Sequence, residues 1–279
     1  MTSSHSALFK TFNYDTVFLD EASQVPLYRA VTIFTSSVRR VILAGDHHQL
    51  PGIVSDKGVV AKLDVSLMEF MIKKGYPTTF LDTQRRGHPD IFAFSSKKIY
   101  GDKLKSAYVP SPPTLRSLFP VIIRSVEGFE EKVGTSWTNE KEAKITAAKW
   151  REMCRIYPDC VVIVPYVGQR DLLKKRGVDV HTVDSFQGKE AACVIVATVR
   201  KNPEGRIGFW KDERRLNVAL TRAKHQLILI GSTSTWKSSK GIVKEMYKHF
   251  KLLMPPPQAR QRVEVIEDVF KGLSELSVE

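Results

Sequence analysis

Residues Thr16-Val17-Phe18-Leu19 form a short apolar run that stops at two adjacent carboxylates, Asp20 and Glu21. Such a run fits a parallel strand buried on both faces. In open α/β sheets ligands gather at the carboxyl ends of strands. An acid pair placed there can hold a divalent cation with Asp20 and polarise a water with Glu21. In isolation the same residues would also suit a strand ending in two solvated acids, so the remainder of the chain has to decide.

The pattern repeats downstream. Residues 24–34 suit a helix opened by Pro26. Residues 39–44 read as a second buried strand, ending in Gly45-Asp46-His47-His48-Gln49-Leu50-Pro51. Gln49 in that loop can hydrogen-bond a terminal phosphate without adding charge. The two histidines lack a third ligand and do not make a metal site. A helix over 66–75 has a serine cap at Ser66 and a stop at Gly75, and Tyr76-Pro77 marks a linker.

From residue 79 the strand and helix alternation restarts. Strands are expected at 80–81, 121–123, 161–164, 180–183, 193–199 and 227–230, with 193–199 central. Helices are expected at 89–100, 139–157, 214–225 and 234–253, with another running to 176 after the loop 165–170 and a further one at 263–276. The prolines between 101 and 120 mark an ordered loop. Alternation of this kind predicts α/β architecture with doubly wound parallel sheets, two of them side by side enclosing a cleft.

Charge is distributed unevenly between the two runs. Residues 1–78 carry 8 Lys and Arg against 7 Asp and Glu, whereas 79–279 carry 35 against 23. A basic excess confined to the second run fits a polyanion such as RNA or DNA. No apolar stretch reaches the ~18 residues of a membrane span, and the polar start is no signal peptide, so no membrane partner and an intracellular location, cytoplasmic or nuclear, are expected. The cysteines Cys154, Cys160 and Cys193 have neither metal-site nor disulfide-framework spacing.

In the helix expected at 214–225, Arg215 and Arg222 stand seven residues apart and would share one face beside an apolar stripe of Leu216, Leu220 and Ala223. Guanidinium groups aimed from it into a cleft could stabilise a transferring phosphoryl group.

Taken in order, Leu19-Asp20-Glu21-Ala22-Ser23-Gln24, Gly45-Asp46-His47-His48-Gln49-Leu50-Pro51, Gln84-Arg85-Arg86, Pro165-Tyr166-Val167-Gly168-Gln169-Arg170, Val183-Asp184-Ser185-Phe186-Gln187-Gly188-Lys189-Glu190 and the run from Arg214 to Lys224 resemble motifs II, III, IV, IVa, V and VI of superfamily 1B helicases. The branch resembled is the one containing the nonsense-mediated-decay helicase and senataxin, and the resemblance runs from about residue 2 to about residue 250. It implies RecA-like P-loop NTPase domains with ATP and magnesium between them and single-stranded RNA or DNA across their top. The corresponding division is 1–78 as the C-terminal part of a first RecA-like domain, 79–254 as a complete second one with its parallel sheet, and 255–279 as a tail.

Carried over residue by residue, the resemblance puts Asp20 on magnesium, Glu21 as catalytic base and Gln49 as γ-phosphate sensor. Arg86 and Arg222 would reach the phosphates, with Gln84, Gly188 and Glu190 near the nucleotide. Thr2, Ser3, Pro165, Tyr166, Thr182 and Ser185 would touch the nucleic acid, Tyr166 by stacking on a base. Gly52 and Gly87 depart from the family pattern and are expected to loosen their loops. No Gly-x-x-x-x-Gly-Lys-Ser/Thr occurs in the 279 residues, so the phosphate cradle is expected on a missing N-terminal helicase segment, acting in cis or in trans. The resulting expectation is the C-terminal part of an ATP-dependent helicase, inactive without that segment. The alternative is a helicase-derived binding module without turnover.

Overall fold

In the computed structural model, residues 13–52, 63–109 and 119–254 are described. Thr2, Ser3, the tail from 255 and the helix expected at 263–276 lie outside them.

The larger sheet has five strands, all parallel, in the order β5-β11-β10-β8-β9. These are β5 (Val121–Ser125), β8 (Cys160–Val164), β9 (Val180–Thr182), β10 (Ala191–Ala197) and β11 (Ala223–Gly231). The strand expected to be central, β10, is central. Cys160-Val161-Val162-Ile163-Val164 is buried at every position, as a parallel strand covered on both faces must be.

Successive residues feed opposite cores. Val161, Ile163, Val194, Val196, Leu227 and Leu229 pack on one side with helices α3 (Pro89–Lys98), α6 (Glu213–Leu220) and α8 (Ile242–Leu253). Val162, Val164, Cys193, Ile195, Ile228 and Ile230 pack on the other with α4 (Glu140–Cys154) and α5 (Val167–Lys174). Helices on both faces of a parallel sheet make this a doubly wound α/β fold of the RecA-like type.

A two-stranded parallel sheet precedes it, β1 (Thr16–Leu19) and β2 (Arg40–Leu43), paired Thr16 to Arg40 and Leu19 to Leu43. Its inner face, with Leu19 and Leu43, packs on Val25, Ala30 and Leu67. Its outer face carries Phe18 at 73% exposure and Ile42 at 40%. The expectation of strands buried on both faces is therefore corrected here: among the described residues only one face is covered. The helix expected over 24–34 is also broken up, into a short α1 (Leu27–Ala30) flanked by 3-10 turns, because Pro26 breaks the first turn away from the rest. By contrast α2 (Leu67–Lys73) is capped as expected, with Ser66 Oγ accepting from Glu69 N at 3.0 Å.

Other boundaries move for local reasons. Residues 80–81 are not a strand: Leu81 is 83% exposed, and pairing falls instead on β3 (Thr83–Gln84) with β4 (Lys105–Ser106). A hairpin, β6 (Glu131–Val133) with β7 (Ser136–Thr138), went unanticipated because its strands are too short for a periodic signal. The C-terminal helix is split into α7 (Thr233–Ser238) and α8, with Gly241 at φ 74 between them.

At the carboxyl end of β10 the chain turns through Val199 at φ 71, an uncommon conformation for a β-branched residue. Its N–H donates to Glu142 Oε1 at 2.7 Å, and its carbonyl accepts from Asn139 Nδ2 at 3.1 Å. Asn139 also caps α4 and is held by Gln169. Glu142 is fully buried, and burial pushes its carboxyl up to about 8, the Val199 N–H offsetting only part of that.

The two sheets meet through side chains at Tyr100, just past the end of α3. The Tyr100 hydroxyl donates to Asp46 Oδ2 at 2.5 Å and accepts from Asn217 Nδ2 at 2.8 Å; the same amide donates to the His48 carbonyl at 3.1 Å. Burial, and after it the Asp46 charge, holds the Tyr100 hydroxyl well above the usual phenol range. Gln187 Nε2 donating to the Leu50 carbonyl at 3.4 Å and Arg214 lying 3.6 Å from Glu69 add further ties.

Two predictions follow from these contacts. Glu142 has a folded-state value above its unfolded one, so its contribution to stability is full below about pH 4.5 and is lost as pH rises through about 8. Denaturant unfolding from pH 5 to 8.5 should show wild type losing stability relative to Glu142→Gln; parallel profiles would contradict a protonated Glu142. Tyr100→Phe removes a buried donor to a charged acceptor and should cost about 1–3 kcal/mol. A change under ~0.5 kcal/mol in the same assay would mean that this contact does not hold the sheets together.

Candidate nucleotide-facing site

The carboxyl ends of β1 and β2 face the amino ends of β10 and β11. This differs from the strand-end rule used on the sequence: the smaller sheet follows it, whereas the larger sheet presents its opposite edge.

On the first side, β1 ends in Asp20 and Glu21, both exposed. Glu21 sits in the left-handed region at φ 49, and its N–H donates to Asp20 Oδ1 at 2.9 Å. Its carboxylate accepts from Gln24 Nε2 at 3.2 Å. A non-glycine residue held there is the kind of strained backbone that clusters at functional sites. After β2, Asp46 accepts from His48 N and from Gln49 Nε2, both at 2.9 Å, in addition to Tyr100. This fixes the Gln49 amide with its oxygen turned to the other sheet. Burial first, and neighbouring His47 after it, lower the His48 imidazole below its usual range.

On the second side stands Arg222. It follows α6, which ends at Leu220, so the helix face expected to carry Arg215 and Arg222 together does not exist. The arginine is 1% exposed. Its Nε donates to the Val218 carbonyl at 3.1 Å, Nη1 to the Lys189 carbonyl at 3.2 Å, and Nη2 to Gln49 Oε1 at 3.2 Å. Among the described residues no carboxylate comes within 4.0 Å of this guanidinium. Burial, and then repulsion from Arg86, pushes its value down to about 10, while Tyr100, Glu21 and Glu190 pull the other way. It remains a cation at neutral pH, buried and with no carboxylate at salt-bridge distance among the described residues.

Arg86 lies beside it, donating from Nε to Glu190 at 2.7 Å and from Nη1 to the Thr221 carbonyl at 3.2 Å. Glu190 also takes Lys224 Nζ at 2.7 Å. The Lys224 contact first, and Arg86 after it, hold the Glu190 carboxyl below its usual range. Gln84 is turned inward on its own loop, to the Gly87 carbonyl and Ser106 Oγ, and Gly188 is an exposed turn at φ 76. Both glycines sit against neighbouring backbone: a Cβ at Gly87 would stand 2.5 Å from the Ala223 carbonyl, and one at Gly52 2.3 Å from the Gln24 carbonyl.

Of the residues expected at the nucleic acid, Pro165, Tyr166, Thr182 and Ser185 lie at the far edge, at neighbouring strand ends, since Val164 pairs with Thr182. Pro165 is buried and Tyr166 half-buried, with the Tyr166 hydroxyl accepting from Phe209 N at 3.3 Å. Thr182 and the exposed Ser185 hydrogen-bond to each other. Arg215, expected in the cleft, is at this edge instead.

Sequence reading overlooked Asp46, Tyr100 and Asn217. The available signal was Asn217, a polar residue inside the apolar stripe of α6, which is fully buried.

Comparison with known proteins identifies relatives of this chain. A family model described as an AAA domain matches residues 63–234, and a second AAA-domain model matches 1–57. Regulator of nonsense transcripts 1 of Dictyostelium discoideum is 32% identical over 86% of the chain and 20% of its own length. An ATP-dependent helicase of Methanocaldococcus jannaschii is 35% identical over 87% of the chain and 39% of its own. A solved arterivirus nonstructural protein 10 helicase, in complex with DNA, is 20% identical with a TM-score of 0.47, over 83% of the chain and 42% of its own. The chain thus spans between a fifth and two fifths of the curated relatives it matches. With the Asp20-Glu21 strand end, the Gln49 loop and buried Arg222 in the motifs that carry the resemblance, the chain belongs to the superfamily 1 helicases of the nonsense-transcript-regulator type, matching their C-terminal portion.

Proposed function

We propose that this chain supplies the hydrolytic side of a helicase's nucleotide cleft, coupling ATP hydrolysis to movement on single-stranded nucleic acid. In this reading 1–78 is part of a first RecA-like domain, 79–254 a second, and 255–279 a tail. The observation that carries it is Arg222, a buried cation with no carboxylate partner among the described residues, bonded to Gln49 of the opposite sheet. Burying an unpaired charge costs several kcal/mol unless an anion joins it. A transferring phosphoryl group is such an anion, and the guanidinium is already in place for it.

The residues present fit a magnesium nucleotide. No group of three or more His, Cys, Asp or Glu among the described residues makes a metal cage of its own, and magnesium characteristically takes one or two carboxylates plus substrate phosphates. Asp20 would hold the ion, and Arg86, Arg222 and Gln49 the terminal phosphate. Bound magnesium nucleotide supplies the phosphoryl group and partly neutralises its charge. Glu21 orients the attacking water and accepts its proton. Glu190 holds Arg86 and Lys224 at the cleft, with Gln84 and Gly188 shaping the adjoining loops. Pro165, Tyr166, Thr182 and Ser185 stand on the nucleic-acid side, and Thr2 and Ser3 would extend it.

The cradle for the α- and β-phosphates is absent from these 279 residues, which favours a second reading, a binding module without turnover. One assay separates them. Joined to a segment carrying a P-loop, in cis or as a separate piece, the chain should show ATPase stimulated by single-stranded nucleic acid, and Arg222→Ala should lower it on the order of 10³-fold. The 279 residues alone should remain at background. No turnover in the joined protein would favour the binding module, and retention of more than about a tenth of the activity by Arg222→Ala would contradict the role of that residue.

A further inference from the structure

Arg215 lies over the ring of Phe209, with the guanidinium carbon 4.1 Å from the ring centroid. The same arginine reaches Asp184 at 3.7 Å and Asp212 at 3.7 Å, and its side chain is 35% exposed. Asp184 directly precedes the exposed Ser185, which is hydrogen-bonded to Thr182. On its other flank Phe209 meets the Tyr166 ring at 6.1 Å, edge on. These contacts join the end of β8, the end of β9 and the turn before α6 into one surface.

The surface is built to hold its shape. Gly208, at φ 56, lies so near Tyr166 that a Cβ would stand 2.3 Å from the hydroxyl and 2.7 Å from Arg200 Nη1. The Phe209 N–H takes up the Tyr166 hydroxyl, and Arg200 is fixed by Glu130 at 2.9 Å and lies over Trp137 at 4.1 Å. Tyr166, with hydroxyl tied and ring half-buried, offers little open face to a base. Beside it, the Arg215 side chain that covers the Phe209 ring is 35% exposed.

We propose that Arg215 and Phe209 form the stacking platform of a single-stranded nucleic-acid track crossing the ends of β8 and β9. The inference rests on the reading that the chain binds single-stranded nucleic acid. A guanidinium layered on an aromatic ring presents a planar face to a base and N–H edges to a phosphate. Stacking of this kind accepts any base. The two aspartates hold the arginine over the ring, and at 3.7 Å neither is close enough to saturate its donors. Exposed Lys211 in the same turn adds positive charge to the track.

The test uses the full chain with fluorescently labelled oligouridylate and oligothymidylate, read by anisotropy across a salt series. Wild type should bind both, more weakly as salt rises. Arg215→Ala and Phe209→Leu should weaken binding roughly 5- to 100-fold, with unfolding midpoints near wild type. Arg215→Lys, which keeps the charge without the planar stack, should weaken it while preserving the salt slope. Photocrosslinking of a halogenated-uracil oligomer should label the peptide containing Phe209. If wild type binds and the variants bind equally well, or the crosslink falls only elsewhere, the platform is refuted while nucleic-acid binding stands. If wild type binds neither oligomer, the binding reading fails and the platform fails with it.

Discussion

The structure turns on one buried guanidinium. Arg222 is enclosed by the end of α6, the Lys189 carbonyl and the Gln49 amide, with hydrogen bonds to each and no carboxylate among the described residues within salt-bridge distance. Neutral oxygens satisfy its donors without cancelling its charge. That is a poor choice for stability alone, because a buried ion without a counterion loses its hydration for little Coulombic return. It is a good choice for a site that must meet an anion whose charge shifts during reaction, since the field is set up beforehand.

Everything nearby keeps that arrangement in register. Asp46 collects the Gln49 amide, the His48 N–H and the Tyr100 hydroxyl, and Asn217 passes the connection back to the His48 carbonyl. The position of Gln49 therefore depends on groups from both sheets. A shift of one sheet against the other would break several short bonds at once, which is how a small change at a nucleotide can become a movement of whole elements. The opposite edge of the larger sheet carries Tyr166, Thr182, Ser185, Phe209 and Arg215. The two edges are joined through strands β10 and β11 and the short helix α6, whose leading end holds Arg215 and whose trailing end leads into Arg222.

Most of this frame could be read from the chain. Apolar runs gave β8, β10 and β11 because a strand buried on both faces must be apolar nearly throughout, while the edge strands β5 and β9 were marked by shorter Val and Ile stretches and are only partly buried. The family motifs singled out Asp20, Glu21, Gln49, Arg86 and Arg222, and the structure brings Gln49 into contact with Arg222 and sets Arg86 and Glu21 near it. What escaped the sequence was set by tertiary contact. Arg215 and Arg222 were assigned one helical face, but α6 stops at Leu220 with Thr221 as its cap, so seven residues no longer mean two turns. The Asp46 and Tyr100 bond joins residues 54 apart, a separation at which no local pattern operates. Phe18 reads as core and is exposed, because hydropathy reports what a strand can bury and not what covers it.

The claim that the cation of one sheet is held against the polar loop of the other is open to a direct energetic measurement. A double-mutant cycle with Gln49→Ala and Arg222→Ala, read by urea unfolding of the full chain at neutral pH, isolates their mutual interaction. The account predicts a favourable coupling of about 0.5–3 kcal/mol, in the range of side chains in direct contact. Additive single effects, with coupling indistinguishable from zero, would contradict it.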